Sequence, residues 1–528
     1  MAFRAVAAHP RSRAALSVAP LRRKAWLLGL LALALAIGQL PLVLAACCAP
    51  AGASGLGTVW FVNDFAQYES AMRQGATQSG WLVYDAFTAE PHAPAFMFPL
   101  YVALGKLAAA LHVQPSALER GLEVLARASL VVALWRFCRA FAGGRVAARW
   151  AFILALFGGG FELLAALAGG YSGNWSYETN GFGLLFAAPH VPLGMAATLE
   201  LARDGLRPRR VLRPAWLLKM GCLSALIALL HPFHAPVLLG AVGLAGLVFW
   251  RSGRGYANFA GAMIAALAAL PVLLPTVATF SFDPFWVGTY SLQNQLPSPL
   301  PHELLIELGP TLLLALVGAF WLRGRVAPFG LLLWVLLSLI AMYLPVPYQR
   351  RLSFGMQPAV AILAANTVMA AAAVLGGKRA AGLRLGVVAA ALSGTILVLA
   401  SVVASSLTNA PLPVYRSTPD LDAAAAWLDL QARPDQVILA DWTTANYLAP
   451  RTAARVFGGH PVATLHPAQK EFAVATVFGH TSSLVLAQSL GVDWLVYGPA
   501  EADLPGPPRP LGPQFQSGAV RVYRVDRP

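Results

Sequence analysis

Asp64 opens the segment NDFAQYESAMRQGATQSGWLVYDAFTAEPHAPAFMFPLYVALG, Asn63 to Gly105, which follows a long apolar run. A carboxylate at a dry membrane boundary has readily tuned basicity, and it serves as a general base or a metal ligand. Tyr68, Gly75, Trp81, Tyr84, Asp85, Glu90 and His92 follow it. The plainer role for Asp64 is a helix cap with Tyr68 as interfacial anchor. A second polar group, PVPYQRRLSFG from Pro345 to Gly355, places Arg350 and Arg351 beside Tyr348 and Gln349 between two apolar runs. Paired guanidinium groups hold phosphate in planar, bidentate geometry, and contact with anionic lipid headgroups is the plainer use of such a pair.

Three further constellations carry polar chemistry. GGYSGNWSYETNGFGLLFAAPH, Gly169 to His190, offers Glu178, Asn180 and His190. If a helix begins near Thr179, His190 falls about three turns later inside a span, where a carboxylate, an amide and an imidazole suit sugar hydroxyls or a cation. HPFHAP, His231 to Pro236, sets two histidines at i and i+3. They suit phosphate or a metal, but Pro232 and Pro236 argue for a polar hinge instead. SFDPFWVGTYSLQNQLPSPLPHE, Ser281 to Glu303, mixes aromatics with amides, and GGHPVATLHPAQKE, Gly458 to Glu471, gathers His460, His466 and Lys470 beside a glycine turn.

The elements that must position these residues are set by composition. The chain has 528 residues, 58% hydrophobic and 12% charged, about half the charge of an ordinary soluble protein. Runs of about 20 apolar residues recur, each able to cross the hydrocarbon layer as a helix. Soluble enzymes, nucleic-acid binders and outer-membrane barrels are excluded, the last because the runs are continuous rather than alternating. Spans are expected near 25–48, 118–141, 146–169, 181–202, 215–231, 234–250, 256–280, 303–322, 327–344, 356–376 and 385–407, with a twelfth stretch at 93–111. The fold class is therefore an α-helical polytopic membrane protein of about 11–12 spans. Cys47, Cys48, Cys138 and Cys222 all lie in apolar runs and form no disulfide framework.

Residues 1–24 form a basic N-terminus, and further basic clusters lie at Arg203–Arg210, Arg251–Arg254, Arg323–Arg325 and Gly376–Arg384. The positive-inside rule makes all of these cytoplasmic. The first loop, 49–92, then lies outside with the Arg350–Arg351 pair and the tail, and so do His92, His190, His231, His234, His302, His460, His466 and His480. Residues 25–408 form the polytopic domain and 409–528 an extracytoplasmic tail, whose pattern from Asp420 reads as a small α/β domain: helices near 421–431, 444–449, 468–477 and 484–490, strands near 436–441, 455–457, 494–498 and 520–525. High Ala and Arg content suggests a GC-rich bacterial genome, hence an inner-membrane location.

With Asp64, Tyr68, Gly75 and the stretch His92, Pro94, Pro99, Tyr101 in this layout, the chain resembles the GT-C superfamily of integral membrane glycosyltransferases, which includes the protein O-mannosyltransferases and the aminoarabinose transferases of lipid A. The motif likeness lies within about 60–145, and the wider likeness is many spans followed by an external domain. The resemblance implies a polyprenyl-phosphate-linked sugar donor, an external acceptor of unspecified kind, transfer with inversion, and Asp64 as base. It also favours a crossing at 93–111, whereas charge alone favours a re-entrant stretch there that keeps Arg139, Arg145 and Arg149 inside. Asn63 stands where a second carboxylate is expected, so a paired-acid metal site would need Asp85 or Glu90, and a divalent cation is a candidate cofactor only. Tyr68, Asp85, His92, Glu178, His190, His234, Arg350 and Arg351 are the expected substrate-binding residues. The competitors are a transporter or flippase of lipid-linked sugars, which would put polar groups at mid-membrane in two related halves, and a scaffold or sensor, which leaves the clustering of Asp64 and the arginines outside unexplained. An O-antigen ligase or polymerase usually carries its main polar loop late in the chain.

Overall fold

A computed structural model describes residues 19–48, 54–55, 62–169, 178–250, 252–321, 326–407, 416–479, 483–502, 504, 506 and 511–526. The basic N-terminus 1–18, the stretch 170–177, Arg251, the Arg323–Arg325 cluster, residues 408–415 and His480 lie outside the described residues. The helices of the first part are α1 Ala19–Cys47, α2 Val62–Thr77, α3 Pro99–Leu111, α4 Pro115–Phe141, α5 Arg145–Phe157, α6 Glu162–Leu167 and α7 His190–Gly205. They continue with α8 Pro214–Leu230, α9 Ala235–Trp250, α10 Tyr256–Phe282, a turn α11 at Pro284–Trp286, α12 Pro301–Trp321, α13 Val326–Ala341, α14 Met356–Leu375 and α15 Gly377–Leu407. Prolines open α3, α4, α8 and α12, where a missing backbone N–H costs nothing. Among the described residues, six helical stretches are long and apolar enough to cross a membrane: Ala25–Cys47, Pro232–Trp250, Tyr256–Phe282, Pro301–Ala319, Met356–Leu375 and Gly377–Leu407. The chain is a multi-pass membrane protein.

Several expected spans are interrupted. The stretch 93–111 yields only the 13-residue α3, about 20 Å long and too short to cross alone. The stretch 146–169 breaks between α5 and α6, where Gly160 at φ 65° packs against the α12 kink at Gly309, φ 51°. α7 begins only at His190, so His190 sits at a helix start rather than three turns inside a helix from Thr179. The residues before it form a short 3-10 turn, Gly183–Leu185, instead.

α2 buries Phe65, Tyr68 and Met72 on one face, the spacing of an amphipathic helix. It packs against α3 with backbones almost touching: a Cβ on Gly75 would lie 2.3 Å from the Val102 carbonyl oxygen, and one on Gly105 only 1.9 Å from that of Met72. These two glycines hold the helix that carries Asp64 against the one that carries Tyr101.

The tail is a mixed five-stranded sheet. β3 Val437–Leu439 pairs in parallel with β4 Arg455–Val456 and β5 Trp494–Tyr497, and β7 Val520–Arg524 pairs antiparallel with β5 and with β6 Pro513–Ser517. The continuous apolar run of β3 fits a central strand covered on both faces. Helices α16 Pro419–Gln431, α17 Trp442–Leu448, α18 Pro467–Gly479 and α19 Ser483–Ser489 complete it. β6 is an element the alternation pattern does not reveal, because Pro513 opens it and most of it is solvent-facing. This domain docks on the first loop. A two-residue β1, Ser54–Gly55, pairs with β2, Arg416–Ser417, and the Val456 N–H donates to the Ala86 carbonyl at 2.9 Å. Arg73 pairs with Asp429 at 2.5 Å, Arg451 with Glu69 at 3.1 Å and Lys470 with Glu90 at 2.7 Å.

Candidate active site

Asp64 lies in the first turn of α2, where its charge complements the helix dipole. One turn on, the Tyr68 ring stacks on Tyr101 at 4.4 Å and meets the His190 ring edge-on at 5.1 Å. The Tyr101 hydroxyl lies 2.8 Å from His190 Nδ1. From His190 the contacts run on into the HPFHAP turn: His190 to His231 at 6.2 Å, His231 to His234 at 4.0 Å, and His234 stacked on Phe354 at 3.5 Å. Arg351 lies over Phe233 at 5.1 Å. Phe233 in turn packs on His231 at 5.6 Å, so Arg351 joins this chain of contacts, and Asp64 stands one helical turn before Tyr68 at its other end. Asp64, Tyr68, His190, His234 and Arg351 thus belong to one cluster, with His231 added to those expected.

Arg350 faces the other expected carboxylate, with its Nε 3.8 Å from Glu178 Oε2. Behind Glu178, Thr179 donates to Glu307 at 2.7 Å, so Glu307 joins this buried polar layer from α12. Buried polar atoms are normally paired, yet Arg351 Nε, His231 Nδ1 and His234 Nε2 find no hydrogen-bond partner among the described residues. They are a donor and two imidazole nitrogens of one cluster. No three His, Cys, Asp or Glu side chains among the described residues converge as a metal site.

Asp85 and His92 form a separate group. His92 Nε2 accepts from the Asp85 backbone N–H at 2.9 Å, its Nδ1 lies 2.8 Å from the Glu90 carbonyl, and its ring stacks on Phe285 at 4.0 Å. Both ring nitrogens are engaged in holding the loop, and burial lowers the basicity of His92. Burial raises the Asp85 carboxyl to about 7, against the lowering by the Phe87 N–H and the Lys470 charge. Its Oδ2 has no partner, and it faces a recess lined by Gln67, Ser70, Gln74, Tyr84 and Tyr290. Burial raises the Glu90 carboxyl, but the bonds from Lys470 and Thr88 prevail and hold it below its ordinary value.

The tail supplies a group from the glycine-turn loop, which the sequence leaves open between an overhang of the cavity and a solvated surface loop. His460 is 1% exposed, and its Nε2 lies 3.4 Å from Asp64 Oδ1. Its only sequence signal is the glycine pair Gly458–Gly459 before it, which gives a tight turn but no address. Gly459 packs against Ala445 and the Asn446 N–H, at distances no side chain would tolerate.

Comparison of the whole chain with solved structures decides the fold. ArnT from Cupriavidus metallidurans in the apo state superposes with a TM-score of 0.53 at 14% identity, covering 96% of this chain and 98% of that one. The chain has the GT-C fold. ArnT bound to undecaprenyl phosphate gives 0.52 at 13% identity, covering 95% and 98%. The apo oligosaccharyltransferase of Archaeoglobus fulgidus gives 0.51 at 14% identity, covering 90% of this chain and 70% of that one. No family model and no curated protein sequence matches the chain. The GT-C fold accounts for both halves of the architecture, the helical membrane domain and the small domain set on its first loop.

Proposed function

We propose that this protein transfers a sugar from a polyprenyl-phosphate-linked donor to an acceptor at the extracytoplasmic face of the membrane. The observation that carries the reading is the continuous chain of ring contacts from Tyr68, one helical turn after Asp64, through His190 and His231 to Phe233, over which Arg351 lies. Asp64 takes the acceptor proton, and Arg351, with Arg350, stabilises the charge that develops on the departing phosphate. Tyr68, Tyr101, His190 and His234 line the space between, where an aromatic face and imidazole nitrogens suit a sugar. Glu178 holds Arg350 in place, and Asp85 with His92 shapes the neighbouring recess. The bound undecaprenyl phosphate of ArnT supports a lipid-phosphate carrier. The same reading puts the N-terminus in the cytoplasm of a bacterial inner membrane and the tail outside.

The test is turnover of an undecaprenyl-phosphate-linked sugar by purified protein in nanodiscs. Asp64→Asn is expected to abolish transfer while leaving expression and undecaprenyl phosphate binding intact. Retained turnover would refute the base assignment.

A further inference from the structure

We propose that the C-terminal domain completes the active site, with His460 as a positioning residue that holds Asp64 through an Nε2–H hydrogen bond. The inference rests on the transferase reading for its consequence, but its geometry stands alone. The tautomer follows from the turn. His460 Nδ1 accepts the backbone N–H groups of Val462 and Ala463, each at 3.1 Å, so the neutral ring carries its proton on Nε2. That nitrogen is the one 3.4 Å from Asp64 Oδ1, an ion-pair-distance contact that closes to a hydrogen bond by a small turn of the half-exposed Asp64 side chain. The Gln67 amide nitrogen lies 2.8 Å from Nε2 and 3.1 Å from Nδ1. An atom that near both ring nitrogens sits over the ring face, away from the in-plane direction of the Nε2–H, and leaves that proton for Asp64.

The turn that presents the ring is rigid and is itself fixed to the first loop. Thr464 Oγ1 accepts from the backbone N–H groups of Gly459 and His460, at 3.1 and 3.0 Å, and donates to the Phe87 carbonyl at 2.7 Å. Gln293 donates to the carbonyls of Val462 and Thr464 from the loop after α10. Phe87 packs on the imidazole at 5.5 Å. Asp64 needs such an anchor: its side chain is 45% exposed, and His460 is the one basic group within ion-pair distance of it among the described residues. A carboxylate left free at a helix start samples several rotamers, whereas one held by a fixed donor keeps the oxygen that must meet the acceptor in one place.

Two measurements on the full chain test this. In protein labelled with 15N-histidine, one imidazole is expected as the Nε2–H tautomer, identified by its loss in His460→Gln. Its Nε2–H resonance should move upfield in Asp64→Asn as the charge-assisted bond is lost. An Nδ1–H tautomer, or a resonance indifferent to Asp64→Asn, would overturn the pairing whether or not the protein is a transferase. With the undecaprenyl-phosphate-linked sugar, His460→Ala should lower kcat about 10- to 100-fold, the loss of one hydrogen bond to a charge, with KM for the donor unchanged. His460→Gln, which keeps an N–H at similar reach, should recover part of it. Equal loss in both variants, or a change confined to KM, would overturn the positioning role. Should His460→Ala fail to assemble, the Asp64→Asn spectrum still decides the pairing. An unsubstituted protein that does not turn over the donor would count against the transferase reading and not against the pairing.

Discussion

The buried Nε of Arg351 is the sharpest residue-scale clue to a ligand. Its guanidinium lies over Phe233 among imidazoles and the Nε has no acceptor among the described residues, and an unpaired donor of that kind is expensive unless something binds there. Arg351→Ala should therefore weaken undecaprenyl phosphate binding about tenfold or more, measured by titration in nanodiscs, while Arg351→Lys recovers little because the bidentate fork is lost. Asp85 carries a different prediction. Its folded carboxyl titrates at about 7 against 3.8 unfolded, so the folded state binds the extra proton and stability falls as pH rises from about 4 to 7. Asp85→Asn should remove that fall, gaining up to roughly 4 kcal/mol at pH 8 and almost nothing at pH 4. Melting curves of both proteins across that range check it, and equal pH slopes would show that the Asp85 charge is solvated. Asp64 and the arginine pair were legible in the sequence because charges are scarce in so apolar a chain. His460 was not, because the contact between Asp64 and a histidine nearly four hundred residues away depends on how the tail docks.

Among the elements, α2 and α3 do most to set the geometry. The sequence suggested Gly75 as part of a motif, and the structure supplies its mechanical reason in the near-contact of two backbones. Gly105→Ala puts a Cβ 1.9 Å from the Met72 carbonyl oxygen, and backbone cannot yield as a side chain does. The variant should lose about 1–3 kcal/mol and shift α2, so that apparent melting temperature and donor turnover fall together. Unchanged melting would mean that the two helices are not packed this closely. Most helix positions were readable from apolar runs, and so were the central strands of the tail. Helix interruptions were not: Gly160 and Gly309 break their helices because each faces the other across the bundle, a tertiary circumstance with no local signature. The start of α7 at His190 was misjudged for the same reason, since the apolar residues before it fold into a buried 3-10 turn.

At the scale of the whole molecule, the membrane domain brings Arg351 and the histidine cluster to one end of the bundle, and the first loop brings Asp64 to meet them. The tail closes over that loop through Arg73–Asp429, Arg451–Glu69 and Lys470–Glu90. The exposed pairs are individually weak, but Lys470 is 6% exposed, and its bonds to Glu90 and Thr88 fasten the recess beside Asp85. Span counting reached the right architecture, because hydrophobic length reports the solvent a helix sits in and not where it breaks. The central claim is that Asp64 and Arg351 serve one transfer, the carboxylate at the acceptor and the guanidinium at the donor phosphate. A structure of the protein with undecaprenyl phosphate bound tests it most directly. The account predicts a phosphate oxygen within hydrogen-bond distance of Arg351 Nε, with the free face of the phosphate open toward Asp64. A phosphate bound away from the arginine pair, with Arg350 and Arg351 touching only bulk lipid headgroups, would contradict it.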